Sequence, residues 1–330
     1  MWKADIRLFK EVALLAYISG RLVSLLLTTL AASVIVFLLM QVLPGDPAAV
    51  ILGINAQPET LASLHKQLGL DQPLWWRYLS WIGGFLKGDF GTSYTYSVPI
   101  SELLGPRIMV TLPLALLSMV LSVAVAIPVG VYAASKRGKT GDVLSMGVAQ
   151  VGVAIPNFWL GLLLILLFAL QLGWFPASGF AGWENGFWIG IRSLFLPALA
   201  LALPLAAILA RVTRSAVIET LGEDFVRTAR AKGLTRNAAL WRHAVPNALI
   251  PVVTIIGLQF SFLLAGTIII ENVFNLPGLG RLVFQAIAQR DLITVQSLVT
   301  LLAASVIAVN FIVDLVYGFI DPRLSTGGSR

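Results

Sequence analysis

Residues 108–135 read IMVTLPLALLSMVLSVAVAIPVGVYAAS, with no Asp, Glu, Lys or Arg among them. A bilayer core of about 30 Å needs about 20 mostly apolar residues in a helix to cross it, and this run exceeds that length. A helix on the surface of a soluble protein keeps a charged face toward water, and this one has no charge to place there. Five further runs share its character, at 22–45, 143–183, 193–210, 243–270 and 292–313. Residues 143–183 are too many for one straight span. Within them, Gly173-Trp174-Phe175-Pro176 reads as an aromatic, proline-broken exit into the interface. The expectation is an all-α polytopic membrane protein with six transmembrane helices, near 20–43, 108–134, 143–171, 193–213, 247–271 and 293–318.

The composition agrees. The 330 residues are 58% hydrophobic and 12% charged, against about 25% charged in an average globular chain. Soluble globular and disordered classes are excluded, because too little polar surface exists to cover the apolar mass. With Cys 0, a disulfide scaffold, a thiol nucleophile and a Cys-ligated metal are excluded too. His65 and His243 stand apart, with no Glu-x-x-His or His-x-x-x-His, so no metal site is expected. No Gly-x-Ser-x-Gly is present, so no hydrolase nucleophile elbow is expected either, and no catalytic residue is assigned. Residues 133–140, AASKRGKT, fit a relaxed Walker A pattern with Ala for the first Gly. A P-loop, however, needs a strand before it and a helix after it in an α/β sheet, and here an apolar span precedes it. Any ATP would be bound by another polypeptide.

The net charge of +7 is a topology signal. With the N-terminus inside, the cytoplasmic segments hold Lys3, Arg7, Lys10, Arg21, Lys136, Arg137, Lys139, Arg211, Arg214, Arg227, Arg230, Lys232, Arg236, Arg242, Arg323 and Arg330. These are 16 of the 23 Lys and Arg. The positive-inside rule then gives N-in and C-in, and no nucleic-acid partner is expected. The first run is too long for a signal-peptide core, and Leu43-Pro44-Gly45-Asp46-Pro47 follows it with no small-x-small site. Ahead of it, Ile6, Phe9, Val12, Ala13 and Ala16 recur at helical spacing between Lys3, Arg7 and Lys10. Residues 2–17 therefore read as an amphipathic helix on the membrane surface, with a disordered leader as the alternative. The expected organisation is a cytoplasmic extension at 1–18 and a membrane domain at 19–330. Residues 44–107 form a periplasmic loop, with a short helix ended by Gly69 and an aromatic group of Trp75, Trp76, Tyr78 and Trp81. Residues 211–246 form a cytoplasmic loop.

That second loop is the most informative segment. Glu223 to Lys232 places acids in the first turn of a helix and a Lys in its last, matching the macrodipole. Gly233 suits a left-handed helix terminus. Thr235 is a candidate N-cap for a second helix, 236–244, and Pro246 either stops that helix or opens the next span. The result is a helix–Gly–helix elbow lying against the membrane. The residues alone leave open a plain solvated basic loop.

Here the chain resembles a family. Thr228-Ala229-Arg230-Ala231-Lys232-Gly233, with Pro246 thirteen residues after the Gly, resembles the EAA loop of bacterial ABC importer permeases. Arg227 and Thr228 stand for the general Glu and Ala, His243 for Ile and Val245 for Leu, the form typical of the dipeptide/oligopeptide/nickel branch. Leu43–Pro47, Leu68-Gly69-Leu70-Asp71-Gln72-Pro73, Gly88-Asp89-Phe90-Gly91-Thr92-Ser93, the run Asn272 to Arg281 and Asp321-Pro322-Arg323 are similar to that branch in order and spacing. The N-terminal extension departs from it. The resemblance implies an inner-membrane permease subunit that forms half of a pore. A second homologous permease, two ATPase subunits that bind ATP and Mg, and a periplasmic or lipid-anchored substrate-binding protein would be its partners, with membrane lipid around it. It implies no cofactor in this chain. It also implies that the elbow is the coupling helix meeting an ATPase subunit, carried by Asp224, Arg227, Thr228, Ala229, Arg230, Lys232 and Gly233. Family members take dipeptides, oligopeptides, glutathione or nickel. Short peptides are the expectation here, since no His, Cys or acid cluster suggests nickel.

Polar residues inside the spans suggest the conduit. Pro128, Pro156, Pro204 and Pro251 interrupt or border spans, and such breaks persist where protein or water satisfies the freed backbone. Gln150, Pro156, Asn157 and Gln259 are the candidate pore lining, with helix-packing contacts as the rival reading. Asp314 is read as the one acid well inside a span. With Asn310 and Tyr317 at helical spacing it would form a structural polar cluster, a substrate contact being the lesser alternative. A proton-coupled secondary transporter is a rival for the whole chain, but it wants ionisable residues at mid-membrane. An integral membrane enzyme is disfavoured by the poverty of His, Cys and buried acids.

Overall fold

The computed structural model describes residues 2–42, 47–52, 57–67 and 69–320. Among them the regular structure is helical. The helices are α1 (Trp2–Val42), α2 (Pro47–Leu52), α3 (Pro58–Gln67), α4 (Leu74–Phe85), α5 (Ile100–Ser135), α6 (Thr140–Ala154), α7 (Asn157–Leu164), α8 (Phe187–Leu221), α9 (Asp224–Ala231), α10 (Arg236–Ala239), α11 (Val245–Val273), α12 (Leu279–Ala288) and α13 (Leu292–Ile320). Five stretches are long and apolar enough to cross a membrane: Ile18–Val42, Ile100–Ser135, Phe187–Leu221, Arg236–Val273 and Leu292–Leu315.

The sixth expected span is broken. In place of a single helix over 143–171, α6 and the stretch from Asn157 to Gln171 meet at an angle of 101°. Pro156 is the cause. It lacks an N–H for the preceding turn and drives Ile155 into the extended region, at φ −84° and ψ 124°. Past α7 the chain widens into a π-helical turn, Ile165–Gln171, before leaving the bundle.

The N-terminal segment also differs from expectation. Residues 2–17 are not a separate surface helix, because α1 runs unbroken from Trp2 into the first span. Gly20 is the only helix-weakening residue near the junction. A lone Gly costs about 1 kcal/mol in a helix interior, too little to end one.

α8 is the centre. Two thirds of its most apolar stretch is buried, against 17% in α1 and 11% in α13. Its inward residues include many small ones, Ala198, Ala200, Ala202, Ala206 and Ala210, set among leucines such as Leu194 and Leu201. Lipid tails are as apolar as leucine, so helices in a bilayer associate through close packing, which small residues permit. The crossing with α5 illustrates this. A Cβ on Gly130 would lie 2.7 Å from the Ala210 carbonyl oxygen and 2.6 Å from Thr213 Cβ. The peripheral α1 turns Leu22, Leu26, Leu27 and Leu30 outward.

The bundle has two ends. One gathers α3, α4, the turn at 88–99, the segment 172–186 and α12. Two of these pieces are fastened to the long helices: Gly179 N donates to Phe274 O at 2.7 Å, Trp183 Nε1 to Met109 O at 2.7 Å, and Ser297 Oγ to Phe90 O at 2.7 Å. Tyr78 and Trp81 turn toward α1, where the Tyr78 hydroxyl lies 2.8 Å from Ser33 Oγ. The opposite end carries the α5–α6 turn and the elbow of α9 and α10.

Candidate functional site: the elbow and the polar groups of the bundle

α9 forms as an eight-residue helix, Asp224–Ala231. It ends in a complete Schellman motif: Gly233 N donates to Arg230 O at 3.0 Å, and Leu234 N donates to Ala229 O at 3.3 Å. Gly233 has φ +96°. A Cβ there would meet nothing within 4 Å, so the need for glycine is conformational and not steric. Thr235 caps α10, its Oγ1 accepting from Ala238 N at 3.2 Å. Pro246 does not end this second helix. A π-helical turn, Leu240–Ala244, carries α10 straight into α11, with Pro246 at the start of the new span.

The elbow has an inner and an outer face. Val226 and Ala229 are buried. Val226 belongs to an apolar cluster with Val131 and Ala134 of α5, Val217 of α8, and Val245 and Ala248 of α11. Asp224, Arg227, Thr228, Arg230, Lys232 and Gly233 are exposed. Ala229 is set apart from the rest of the expected contact set: it is buried, on the same face of α9 as Val226, where the others are exposed. The amphipathic spacing accounts for this, since Ala229 lies three residues after Val226 and shares its face. Phe225 is missing from the expected set. It is 43% exposed on the outer face, and an aromatic at a solvated helical position is the signal that could have found it.

The neighbouring α5–α6 turn is fixed by charge. Arg214 of α8 grips Asp142 of α6 bidentately, Nε to Oδ1 at 2.5 Å and Nη2 to Oδ2 at 2.7 Å. Gly138 N adds a third donor to Asp142 Oδ2 at 2.9 Å. One turn deeper, Arg211 Nη2 donates to Gln150 Oε1 at 2.8 Å.

The candidate conduit residues are not gathered into one cavity. Gln150 is exposed and held by Arg211, Pro156 is exposed at the break, Asn157 is half-buried, and Gln259 is buried in α11 with its Oε1 unpaired among the described residues. Beside α6 lies a cleft of about 310 Å³ that is almost wholly apolar, lined by Val148, Gly152, Ile155 and Ala206 among others, and it includes none of the four.

The polar cluster on α13 forms around Asn310 and Asp314. Ser261 Oγ of α11 donates to Asn310 Oδ1 at 2.7 Å, and Arg21 Nη1 of α1 pairs with Asp314 Oδ2 at 2.8 Å. The Tyr317 side chain lies outside the described residues. Asp314 is not the most deeply held acid. Its side chain is 35% exposed, whereas Glu271, near the end of α11, is fully buried. Glu271 accepts from Thr111 Oγ1 at 2.5 Å and from Arg281 N at 2.9 Å, so it caps the start of α12. The sequence hides it because it falls one residue past a charge-free run. Among the described residues no group of three His, Cys, Asp or Glu is arranged to hold a metal ion.

A bundle of this kind, with a rigid amphipathic elbow projecting from one end and polar breaks inside, defines a polytopic membrane transport subunit. The chain belongs to the family described as binding-protein-dependent transport system inner membrane component, whose model matches residues 126–326, with its N-terminal companion matching 14–115. It is therefore an ABC importer permease of the bacterial inner membrane. It is similar to the glutathione transport system permease protein GsiC of Salmonella paratyphi A, 41% identical over 314 residues, covering 94% of this chain and 99% of the relative. The GsiC of Escherichia coli K12 is 40% identical over 311 residues, with the same coverage. Two inward-facing structures of the MetNI methionine ABC transporter share the fold, at TM-scores of 0.54 and 0.52 and 21% and 19% identity. They cover 68% and 69% of this chain and 97% and 98% of their own.

Proposed function

We infer that this permease carries short peptides or peptide-like solutes such as glutathione, and that residues 224–233 couple it to an ATPase subunit. The observation that carries the coupling role is the anchoring of α9. Its inner face locks into the ends of α5, α8 and α11 together, while Asp224, Phe225, Arg227, Thr228, Arg230 and Lys232 are exposed on the outer face. A short rigid helix transmits a rigid-body displacement that a flexible loop would absorb. ATP and Mg then belong to two ATPase subunits, and a second homologous permease completes the pore. The basic asymmetry supports N-in and C-in, with the elbow cytoplasmic and residues 44–107 periplasmic beside the binding protein. The peptide-like substrate rests on the likeness to the glutathione permeases and on the scarcity of metal-binding side chains.

The test is charge reversal on the outer face. Arg227→Glu with Arg230→Glu should leave the chain inserted and monodisperse, but should lose the ATPase subunit on purification. Uptake of labelled glutathione and of dipeptides should fall together. Full ATPase retention with normal uptake of either solute would remove the coupling assignment. Uptake of neither solute by the unaltered importer would remove the substrate assignment alone.

A further inference from the structure

At the end of the bundle opposite the elbow, a cavity of about 360 Å³ opens between the C-terminal end of α1, α4 and the N-terminal end of α13. Its polar lining includes Arg77, Tyr94, Gln41 and Gln296, and its walls include Phe37 and Trp76. None of its lining residues is an acid. The Arg77 side chain makes no hydrogen bond or ion pair with any described residue. Burial pulls its guanidinium down from the ordinary value, with Tyr94 acting the other way, yet an arginine keeps its charge in proteins. Burial first, and the Asp291 carboxylate second, push the Tyr94 hydroxyl up to about 12. It therefore keeps its proton at neutral pH and can donate. Asp291 itself accepts from Ser93 Oγ at 2.5 Å, Thr95 N at 3.2 Å and Thr294 N at 3.2 Å, bonds that fix its carboxylate outside the cavity lining and leave it charged. The cavity lining thus presents a half-buried cation, without an ion-pair partner among the described residues, beside a phenolic donor and two amides. A desolvated charge without a partner is costly, and an anion relieves it.

The level of the cavity identifies the anion. Phe37 and Gln41 lie in the last turns of the span Ile18–Val42, and Gln296 lies in the second turn of the span Leu292–Leu315. Two antiparallel spans thus place the cavity where the hydrocarbon core gives way to headgroups. Its surroundings are built for lipid: Leu38 and Leu39 on α1, and Leu74, Trp75 and Leu79 on α4, are exposed, with the indoles at interface depth. We propose that this cavity is a phospholipid headgroup site, which holds the phosphodiester of an anionic lipid between Arg77 and Tyr94 while the acyl chains descend the exposed face of α1. A zwitterionic headgroup fits less well, because its ammonium would enter a cavity lined by a cation and by no acid.

The test is a lipid titration of the full chain in neutral detergent, read by native mass spectrometry. Phosphatidylglycerol should bind several-fold more tightly than phosphatidylcholine at the first site. Arg77→Gln should weaken that binding about tenfold, the loss of one charge-assisted hydrogen bond, and Tyr94→Phe by a smaller factor. Lys87→Gln, an exposed cation of the same loop outside the cavity, should change nothing. Should Arg77→Gln not yield monodisperse protein, Tyr94→Phe and Gln296→Ala carry the comparison. Equal phosphatidylglycerol binding by the unaltered chain and the variants overturns the proposal. Displacement of the lipid by equimolar glycerol 1-phosphate or inorganic phosphate would assign the site to a soluble anion and overturn it as well. Loss of lipid from the site when the importer is assembled would mark it as a subunit interface, with the same consequence.

Discussion

Replacing Gly233 tests the elbow through backbone conformation alone. At φ +96°, with open space for 4 Å around the place a Cβ would take, the residue resists substitution only through its own dihedral preference. A left-handed conformation costs an L-residue about 1–2 kcal/mol, and a β-branched side chain more. Relaxing that strain breaks the bonds Gly233 N to Arg230 O and Leu234 N to Ala229 O, each worth about 0.5–1.5 kcal/mol. Either route costs roughly 2 kcal/mol or more for Val, a shift of about 30-fold in the ratio of closed to opened elbow at 1.4 kcal/mol per decade. Asn tolerates the left-handed region better than Ala, and Ala better than Val. The expected order of damage is Asn, then Ala, then Val. The readouts are ATP hydrolysis stimulated by loaded binding protein in the assembled importer, and trypsin cleavage at Arg230 and Lys232. Stimulation should fall and cleavage rise in that order, with membrane insertion unchanged because the position lies outside every span. Three variants that all keep full stimulation and uptake, with unchanged cleavage, would refute the reasoning.

Ala229→Glu should act from within, because Ala229 is buried against the bundle: burial of an unpaired carboxylate costs several kcal/mol, so the elbow should become trypsin-sensitive even without any ATPase subunit present. Asp142→Asn should lower the melting temperature in detergent, since it leaves the Arg214 guanidinium without its bidentate partner; a paired Asp142→Leu, Arg214→Met variant should recover part of the loss, and no recovery would refute the charge-pair account. Cysteines placed at Ser63 and Ser178 should react with an impermeant thiol reagent from the periplasm, and one at Asn237 should not; labelling at Asn237 from outside would overturn the N-in orientation.

The spans are legible in the sequence because they follow from one quantity, the length of a charge-free run. Five of them need nothing more than that rule. The elbow is legible because its signals are local: acids, a Gly and a Thr at fixed offsets. What escapes is non-local. Pro156 is visible as a break, but whether a proline kinks a span or folds it by 101° depends on what the neighbouring helices supply to the freed backbone. Glu271 looks like the polar end of a helix, and its burial depends on Thr111 and the start of α12, residues 160 positions behind it and ten ahead. Asp314 is visible as an odd acid, but its partner Arg21 sits on the first helix, 293 residues away in the chain. Likewise the inward turn of Ala229 depends on the cluster around Val226, which draws on three different spans.

Those long-range ties divide the molecule in a way that bears on the proposed coupling. The cluster under α9 joins the ends of α5, α8 and α11. The Arg214–Asp142 and Arg211–Gln150 bonds fasten α6 to α8 just beside it. A push on α9 therefore reaches four helices through packed or charge-bonded contacts, with no flexible element between. α1 is held differently, to α13 through Arg21 and Asp314 and to the far end through Ser33–Tyr78, whereas α13 is tied to the far end through Ser297–Phe90 and to α11 through Ser261–Asn310. If α9 moves as a lever, the central helices must move with it, while α1 and α13 keep their register with each other through Arg21 and Asp314. The bend at Pro156 lies in that path, between α6, which packs on α8, and α7, which packs on α8 and also meets Phe274 and Ile270 at the end of α11. Movement of the elbow should therefore change the 101° bend. Spin labels at Val148 and Leu166, on exposed faces of the two arms, should report a distance change between nucleotide-free and ATP-trapped importer. Labels at Leu27 and Ile312, on α1 and α13, should report none.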